Sequence, residues 1–465
     1  MSSSLDRRTF LKTTTAALSA GVLPAPEAAA ALAPAVRTQP GSPSDRVRVA
    51  IMGVNSRGNQ LARVFARNAG CAVTVICDVD SRAADKAAAT VTAAGGAAPR
   101  LMPDVRKVLE AGDVDALVIA APDHWHAPAA IMACQAGRHV YVEKPCSHNP
   151  GEGELLVAAA ARSGRIVQIG TQRRSWPNVR RAIEEVRGGR IGRVYLARTW
   201  YANTRTSIGK GQPTDPPAWL DYDLWQGPAP RRPFVDNLVH YEWHWRWHWG
   251  TGESANNGTH MFDLARWGLG VEHPSRVTSA GGRYQYEDDW EFPDTQVASF
   301  EYPDRTMITW ESISSNGWRQ QGKGVGVTFH GDQGSLFIDG DGYVVYDPKM
   351  RVLEEVKSAA AGEITTVGPG DTLDSHHTAN FLDAVRGKTA LAAPIGGGHT
   401  STLMAHLANI AWKTGRALTC DPSTGRVLDD TGAMAMWTRE YEKGWEPANA
   451  AVADGTRAGA IGRQG

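Results

Sequence analysis

The sequence predicts an α/β protein: an N-terminal doubly wound parallel sheet, followed by a C-terminal α+β domain built on a mixed, largely antiparallel sheet. Three observations predict it. Short runs rich in Val and Ile alternate with helix-compatible segments through the first third of the chain. A glycine turn, Gly53-Val54-Asn55-Ser56-Arg57-Gly58, joins the first of those runs to the first helical segment. Beyond about residue 190 the apolar pattern changes to strict alternation, the signature of strands with one buried face.

The first apolar runs are Val47 to Met52, Ala72 to Cys77, Ala116 to Ala121, His139 to Val142 and Ile166 to Ile169. Between them, Gln60 to Asn68, Ser81 to Ala94, Val105 to Glu110 and Pro128 to Gln135 read as helices, with Gly153 to Arg162 before the last strand. Strand–helix alternation of this kind implies parallel strands joined by right-handed crossovers. In the second domain, strands are expected over Val194 to Trp200, Arg276 to Ala280, Thr295 to Tyr302, Thr306 to Ser312, Val325 to His330, Ser335 to Ile338 and Tyr343 to Tyr346. Helices are expected at Pro177 to Arg187 and His260 to Gly268, and two more after Asp374 and Gly398 return towards the nucleotide domain. The resulting division is a leader and linker over 1–44, a Rossmann-type domain over 45–170, an α+β domain over 171–370, returning helices over 371–445 and a disordered tail over 446–465.

A dinucleotide pyrophosphate rests where a glycine turn opens a helix, because unpaired backbone N–H groups and the helix dipole converge there. Asn55 stands at the second glycine position of the G-x-G-x-x-G pattern, and Asn is the next most tolerant residue of a left-handed backbone. Asp78 lies 25 residues after Gly53, at the end of the second strand. A carboxylate there can accept from both adenosine ribose hydroxyls and repel a 2′-phosphate, which favours NAD over NADP; the alternative is a helix N-cap.

Two further segments follow apolar strands and so lie at the carboxyl edge of the sheet, where open α/β folds bind ligands. They are Ala121-Pro122-Asp123-His124-Trp125-His126 and Glu143-Lys144-Pro145. A lysine in that place can hold a substrate hydroxyl, polarise a developing carbonyl and relay a proton if burial lowers its pKa. Its alternative is a surface pair with Glu143.

Lys plus Arg and Asp plus Glu both number 49, so no global field favours nucleic acid or an acidic membrane, and a small neutral ligand fits better. The stretch Asp6-Arg7-Arg8-Thr9-Phe10-Leu11-Lys12 fits a twin-arginine export signal, followed by an uncharged run from Thr13 to Pro26 that is too short to span a membrane. The expectation is export by the twin-arginine machinery, with cleavage between Ala31 and Ser44, to a periplasmic or extracellular location without a stable membrane anchor. Roughly 420 residues then remain, enough for two sizeable cores. Cys71, Cys77, Cys134, Cys146 and Cys420 are odd in number and scattered, which describes neither a disulfide framework nor a metal site.

Asn55-Ser56-Arg57-Gly58, Asp78, Pro122-Asp123-His124-Trp125-His126 and Glu143-Lys144-Pro145 together resemble the Gfo/Idh/MocA family of sugar and polyol dehydrogenases. The similarity runs on through Gly170-Thr171-Gln172-Arg173-Arg174, the segment Gly258-Thr259-His260-Met261-Phe262-Asp263, Phe329-His330-Gly331 and His377-Thr378-Ala379-Asn380-Phe381. It covers the chain from Val47 to about Trp412. The resemblance implies that Lys144 is catalytic, with a cis bond to Pro145, that His260 is the second catalytic residue, and that Asn256 belongs to the same catalytic group. It further implies NAD contacts from Gly53, Asn55, Ser56, Arg57, Gly58, Asp78, Pro122, His124, His126, Glu143, Lys144 and Gln172, substrate contacts from Arg173 and Asn257, and an open-faced sheet frequently used to form homo-oligomers.

Moving hydride from a carbinol C–H to nicotinamide requires the hydroxyl proton to leave, and imidazole is a suitable base. One departure is visible: members of the family usually carry a carboxylate four residues before the histidine, and here that position is Asn256, so the pKa of His260 should be less raised. Asp263 is expected to pair with Arg266 one turn on. In Tyr241-Glu242-Trp243-His244-Trp245-Arg246-Trp247-His248-Trp249 the aromatics fall at every second position. On an extended segment they share one face, so Trp245 and Trp247 can form a wall for sugar rings; a buried core or dimer strand is the alternative. His244 and His248 lack further ligands at metal spacing, and no metal is expected.

Three functions fit. The first is an NAD-dependent dehydrogenase of a sugar or polyol. The second is an NAD-dependent glycoside hydrolase that oxidises a ring hydroxyl, eliminates the aglycone, hydrates and re-reduces, so that NAD is recycled. The third is a carbohydrate-binding protein without catalysis, which the joint presence of Lys144 and His260 argues against.

Overall fold

A computed structural model describes residues 46–339, 342–357 and 370–447; the leader with its twin-arginine pair and the tail lie outside the described residues. The first sheet has six parallel strands: β1 (Val47–Met52), β2 (Cys71–Cys77), β3 (Arg100–Met102), β4 (Ala116–Ile119), β5 (His139–Val142) and β6 (Val167–Ile169). Their order, β3-β2-β1-β4-β5-β6, reverses between β1 and β4. This crevice beyond the strands' carboxyl ends is where a doubly wound sheet takes its ligand. The central strands are buried on both faces, as a covered parallel sheet requires.

The crossovers are α1 (Arg57–Arg67), α2 (Ser81–Ala93), α3 (Val105–Ala111), α4 (Asp123–Gln135) and α5 (Pro150–Ser163). The N-cap of α2 is Asp80, whose side chain accepts from the backbone of Arg82 and Ala83, so Asp78 is not used as a cap. Helix α4 begins five residues earlier than its proline suggests. Pro128 inside the helix has no N–H for the carbonyl of His124, and that oxygen instead accepts from Arg439 Nη2 at 2.7 Å.

After a 3-10 turn at Gln172–Ser175 comes α6 (Pro177–Arg187), then β7 (Val194–Ala202) and three helices: α7 (Tyr222–Gln226), α8 (Gly252–Asn256) and α9 (Gly258–Leu269). The second sheet adds β8 (Arg276–Gly282), β9 (Thr295–Glu301), β10 (Met307–Ile313), β11 (Val325–Gly331), β12 (Gly334–Ile338), β13 (Tyr343–Tyr346) and β14 (Val352–Val356). Helices α10 (Asp371–Val385) and α11 (Ile395–Thr414), a short β15 (Leu418–Thr419) and a one-turn α12 (Thr431–Met434) close the described fold. The order is β14-β13-β12-β11-β7-β10-β9-β8-β15, antiparallel except for β7 beside β10.

One face of this sheet is covered: α9 packs its buried Phe262 against Phe300 and Trp310, ring centroids 5.2 and 5.3 Å apart. Along β9 and β10 buried and less buried residues alternate. Helix α10 returns to the first domain, where Phe381 makes an edge-on cluster with Phe65 and Tyr141. Helix α11 lies between the domains, against α5 on one side and α9 and β8 on the other.

Candidate active site

The glycine turn follows β1 directly. Gly53 has φ +79°, and a Cβ there would stand 2.4 Å from the backbone of Ala121, while one on Gly58 would collide with the carbonyl oxygen of Gly53. Only glycine allows the turn to sit this close to the strand-β4 loop. Asn55 does not need the left-handed region; Gly53 takes that conformation instead. Ser56 is the N-cap of α1 and makes no capping hydrogen bond with its own side chain.

Asp78 ties this turn to the tip of β2. One carboxylate oxygen accepts from Val54 N and the other from Asp80 N at 2.8 Å. Burial pushes its pKa up, partly offset by those two backbone donors. Each oxygen keeps a lone pair for a ribose hydroxyl.

Gly53, Asn55, Ser56 and Asp78 line a cleft of about 260 Å³ that continues past Pro122 and His126 to Glu143, Lys144 and Gln172, and ends at Asn256 and His260. These residues come from both domains. Lys144 is not a surface lysine: its Nζ donates to the main-chain oxygen of Asn256 at 2.7 Å and to Asn256 Oδ1 at 3.1 Å. Burial lowers its pKa against the pull of Glu143 and Asp123, and Arg57 lowers it further. The bond to Pro145 is cis. Glu143 pairs with Arg57 at 2.9 Å and accepts from Gln172 at 3.0 Å; Arg57 also pairs with Asp374 of α10, so its guanidinium is anchored in protein.

His260 Nε2 is buried and makes no hydrogen bond. Burial, with the nearby charges of Lys144, Arg173 and Arg57, holds its pKa well below the usual imidazole value, so the ring is a neutral base at neutral pH. Glu253, one turn earlier on α8, is buried; it pairs with Arg205 at 2.8 Å and accepts from Asn257 Nδ2. Sequence reasoning missed it, since its spacing from His260 matches no motif.

Several expectations are corrected. Tyr241 to Trp249 is not extended: a 3-10 turn runs over Glu242–Trp245, so alternate aromatics do not share a face. Trp245 is buried, stacked on Trp290 with centroids 3.8 Å apart, and Trp247 stacks on Phe292 at 4.5 Å and faces a different cavity. The cleft wall is made instead by Tyr241, Trp243 and His244. Arg173 is buried beside Met261 Sδ at 3.8 Å, Asn257 is occupied by Glu253, and His124 is fully buried with Nε2 2.9 Å from the Trp225 carbonyl. None of these three lines the cleft. Asp263 pairs with Arg174 at 2.7 Å rather than with Arg266, which reaches Glu272 at 2.6 Å.

His244 Nδ1 lies 2.6 Å from the carbonyl oxygen of Tyr241 and therefore donates its proton there, which leaves Nε2 as an acceptor. Burial keeps this ring neutral too. Pro103 and Val105 extend the cleft at the β3 end, away from Lys144, and supply an apolar slot suited to an adenine.

The turn without room for side chains, the carboxylate at the tip of β2 and the adenine slot fit an NAD molecule laid along the cleft. The comparisons agree. The model of the oxidoreductase family's NAD-binding Rossmann fold matches residues 47–171, and that of its C-terminal alpha/beta domain matches residues 183–417. A glycosyl hydrolase family 109 protein of Saccharopolyspora erythraea is 34% identical over 155 residues, 32% of this chain and 34% of that protein. Inositol 2-dehydrogenase 4 of the same organism is 30% identical over 165 residues, 35% of this chain and 47% of that protein. The matched stretch thus spans a third to a half of these curated relatives. Levoglucosan dehydrogenase, solved with NADH and levoglucosan, superposes with TM-score 0.62 at 18% identity over 80% of this chain and 99% of its own. The WlbA dehydrogenase of Bordetella pertussis, solved with NADH and UDP-GlcNAcA, gives 0.60 at 20% identity over 81% and 99%. At these identities the structures share the fold, and the two matched family models carry the assignment: this chain belongs to the Gfo/Idh/MocA oxidoreductase family.

Proposed function

We propose that the protein oxidises a secondary hydroxyl of a carbohydrate or polyol with bound NAD, and that it works outside the cytoplasm after twin-arginine export. One observation carries the reading: Lys144 and His260, from different domains, line the same cleft as the glycine turn and Asp78. The nicotinamide, when bound, supplies the hydride acceptor. Of the three hydrogens of the Lys144 ammonium, two are directed to Asn256 O and Oδ1, and the third is available to the substrate oxygen. That donor holds the alcohol and stabilises negative charge on its oxygen as the carbonyl forms. His260 Nε2 takes the hydroxyl proton.

A second reading is favoured by His244. A simple dehydrogenase handles one proton, whereas oxidation followed by elimination handles two, the second from the carbon beside the transient ketone. Of the histidines that line the cleft, His260 and His244 are held neutral by burial, the latter with its tautomer fixed by Tyr241. An NAD-dependent glycosidase that recycles its cofactor uses both, and the glycosyl hydrolase family 109 relatives support this reading.

Mass spectrometry and absorbance on protein purified without added nucleotide, followed by a panel of glycosides and polyols, test the proposal. NAD retained while free sugar appears supports the glycosidase; NADH formed in proportion to oxidised polyol supports the dehydrogenase. Neither product with any member of the panel would refute both.

A further inference from the structure

The segment that gives Tyr241, Trp243 and His244 to the cleft gives its next residues to a second cavity of about 660 Å³, bounded by the start of α5, the end of α11 and the chain around Arg439. Nothing in the proposed reaction uses it. Its wall combines hydrogen-bond donors and acceptors in fixed states. His148 Nε2 faces the carbonyl of Trp247 at 3.2 Å and His248 Nε2 that of Pro230 at 2.7 Å, so each ring donates through Nε2 and keeps Nδ1 as an acceptor. Burial holds both imidazoles neutral, His248 with a pKa of about 4.

Two donors in the same wall lack partners. Asn149, 5% exposed, uses Oδ1 to cap α5 through Glu152 N at 3.0 Å, while its Nδ2 makes no hydrogen bond. Arg439 spends Nε on Glu152 and Nη2 on the His124 carbonyl, and its Nη1 makes none. Unpaired donors and acceptors side by side suit hydroxyl groups, which donate and accept at once. The wall's cations, Arg231, Arg232, Lys413 and Arg439, outnumber its carboxylates, Glu291 and Glu440, and Glu291 already accepts from Trp247 N. Arg232 and Lys413 are exposed, and neither has a carboxylate partner among the described residues, Lys413 Nζ lying 5.2 Å from the Trp247 ring centroid.

We propose that this cavity is a second binding site, separate from the NAD cleft, for a sugar that carries a carboxylate, such as a uronic acid residue. The hydroxyls meet Asn149, Arg439, His148 and His248; the carboxylate meets Lys413 and Arg232. The volume is within the range of small-molecule sites and large enough for more than a single ring.

The test is calorimetric titration of the full chain with digalacturonate, and with the neutral cellobiose, in Lys144→Ala protein so that the cleft does not turn the ligand over. Digalacturonate should bind and cellobiose bind more weakly. An added Lys413→Ala, Arg232→Ala pair should weaken digalacturonate by about tenfold or more, with NAD binding unchanged as the check on folding. No heat at millimolar digalacturonate, equal affinity for the neutral disaccharide, or binding that the double substitution leaves intact would overturn the site.

Discussion

Lys144 reaches across the domain boundary to Asn256, donating to its main-chain oxygen at 2.7 Å and its side-chain oxygen at 3.1 Å. The lysine comes from the end of β5 and the asparagine from the end of α8, so one side chain measures whether the two domains are correctly set. A neutral acceptor there orients the ammonium without adding charge to hold its proton. Asn256→Asp should raise the pKa of Lys144 and of His260 by adding a carboxylate, moving the limbs of the kcat/KM pH profile to higher pH. Asn256→Ala removes one of the two bonds and should cost about tenfold in kcat, corresponding to about 1.4 kcal/mol. A pH profile that does not move in Asn256→Asp would remove position 256 from the electrostatics of the site.

Asp78 is fixed by Val54 N and Asp80 N, so it holds the glycine turn while it lines the cleft. Asp78→Ala should weaken NAD by about 10- to 100-fold, or about 1.4 to 2.7 kcal/mol, and relax discrimination against NADP. Equilibrium titration with both nucleotides checks this. Equal loss for NAD and NADP would mean that only the turn had been damaged.

Asp78, Lys144 and His260 were legible because each belongs to a contiguous motif at the end of a regular element, where sequence spacing and space agree. The six-stranded sheet was legible for the same reason, apart from β3, an edge strand whose Arg100, Leu101 and Met102 are exposed or half-buried and carry little apolar signal. Long-range pairing was not. Asp263 has Arg266 within a turn of helix, yet Arg174 from the 3-10 turn beyond β6 reaches it, and no helical spacing rule contains that contact. The edge strand β14 escaped because its residues are exposed or only partly buried and its alternation carries little apolar signal. The Trp-rich stretch misled for a different reason: every-second-residue alternation describes a strand only if the backbone is extended, and here it coils at Glu242–Trp245.

Buried neutral histidines make stability depend on pH. His139 and His406, 7% and 4% exposed, have pKa values lowered by burial to about 4 and about 3. The unfolded chain takes up protons near pH 6.5 and the folded chain does not, so protonation favours unfolding. Their contribution is complete above about pH 6.5 and is lost as pH falls towards the folded values, by about 2 kcal/mol for each group at pH 5. Urea unfolding at pH 7 and pH 5 should show that fall, and His406→Gln should flatten it. A midpoint independent of pH across this window would contradict the neutral buried state.

Trp243 and Trp245 differ by two positions and should differ in kind. Trp243 lines the cleft, stacked on His244 with centroids 3.6 Å apart, so its indole both faces the cleft and steadies the ring whose Nε2 is an acceptor. Trp245 is 1% exposed, clamped against Trp290 and under the Arg205 guanidinium at 4.7 Å. Trp245→Ala opens a large void and should cost about 3 to 5 kcal/mol of stability, read as a lower unfolding midpoint. Trp243→Ala should leave the midpoint within about 1 kcal/mol while raising KM and lowering kcat, because the loss falls on a partly exposed residue that lines the cleft and packs on His244. If Trp243→Ala unfolded the protein and Trp245→Ala altered only KM, the two indoles would have exchanged roles and the extended-wall arrangement would be restored.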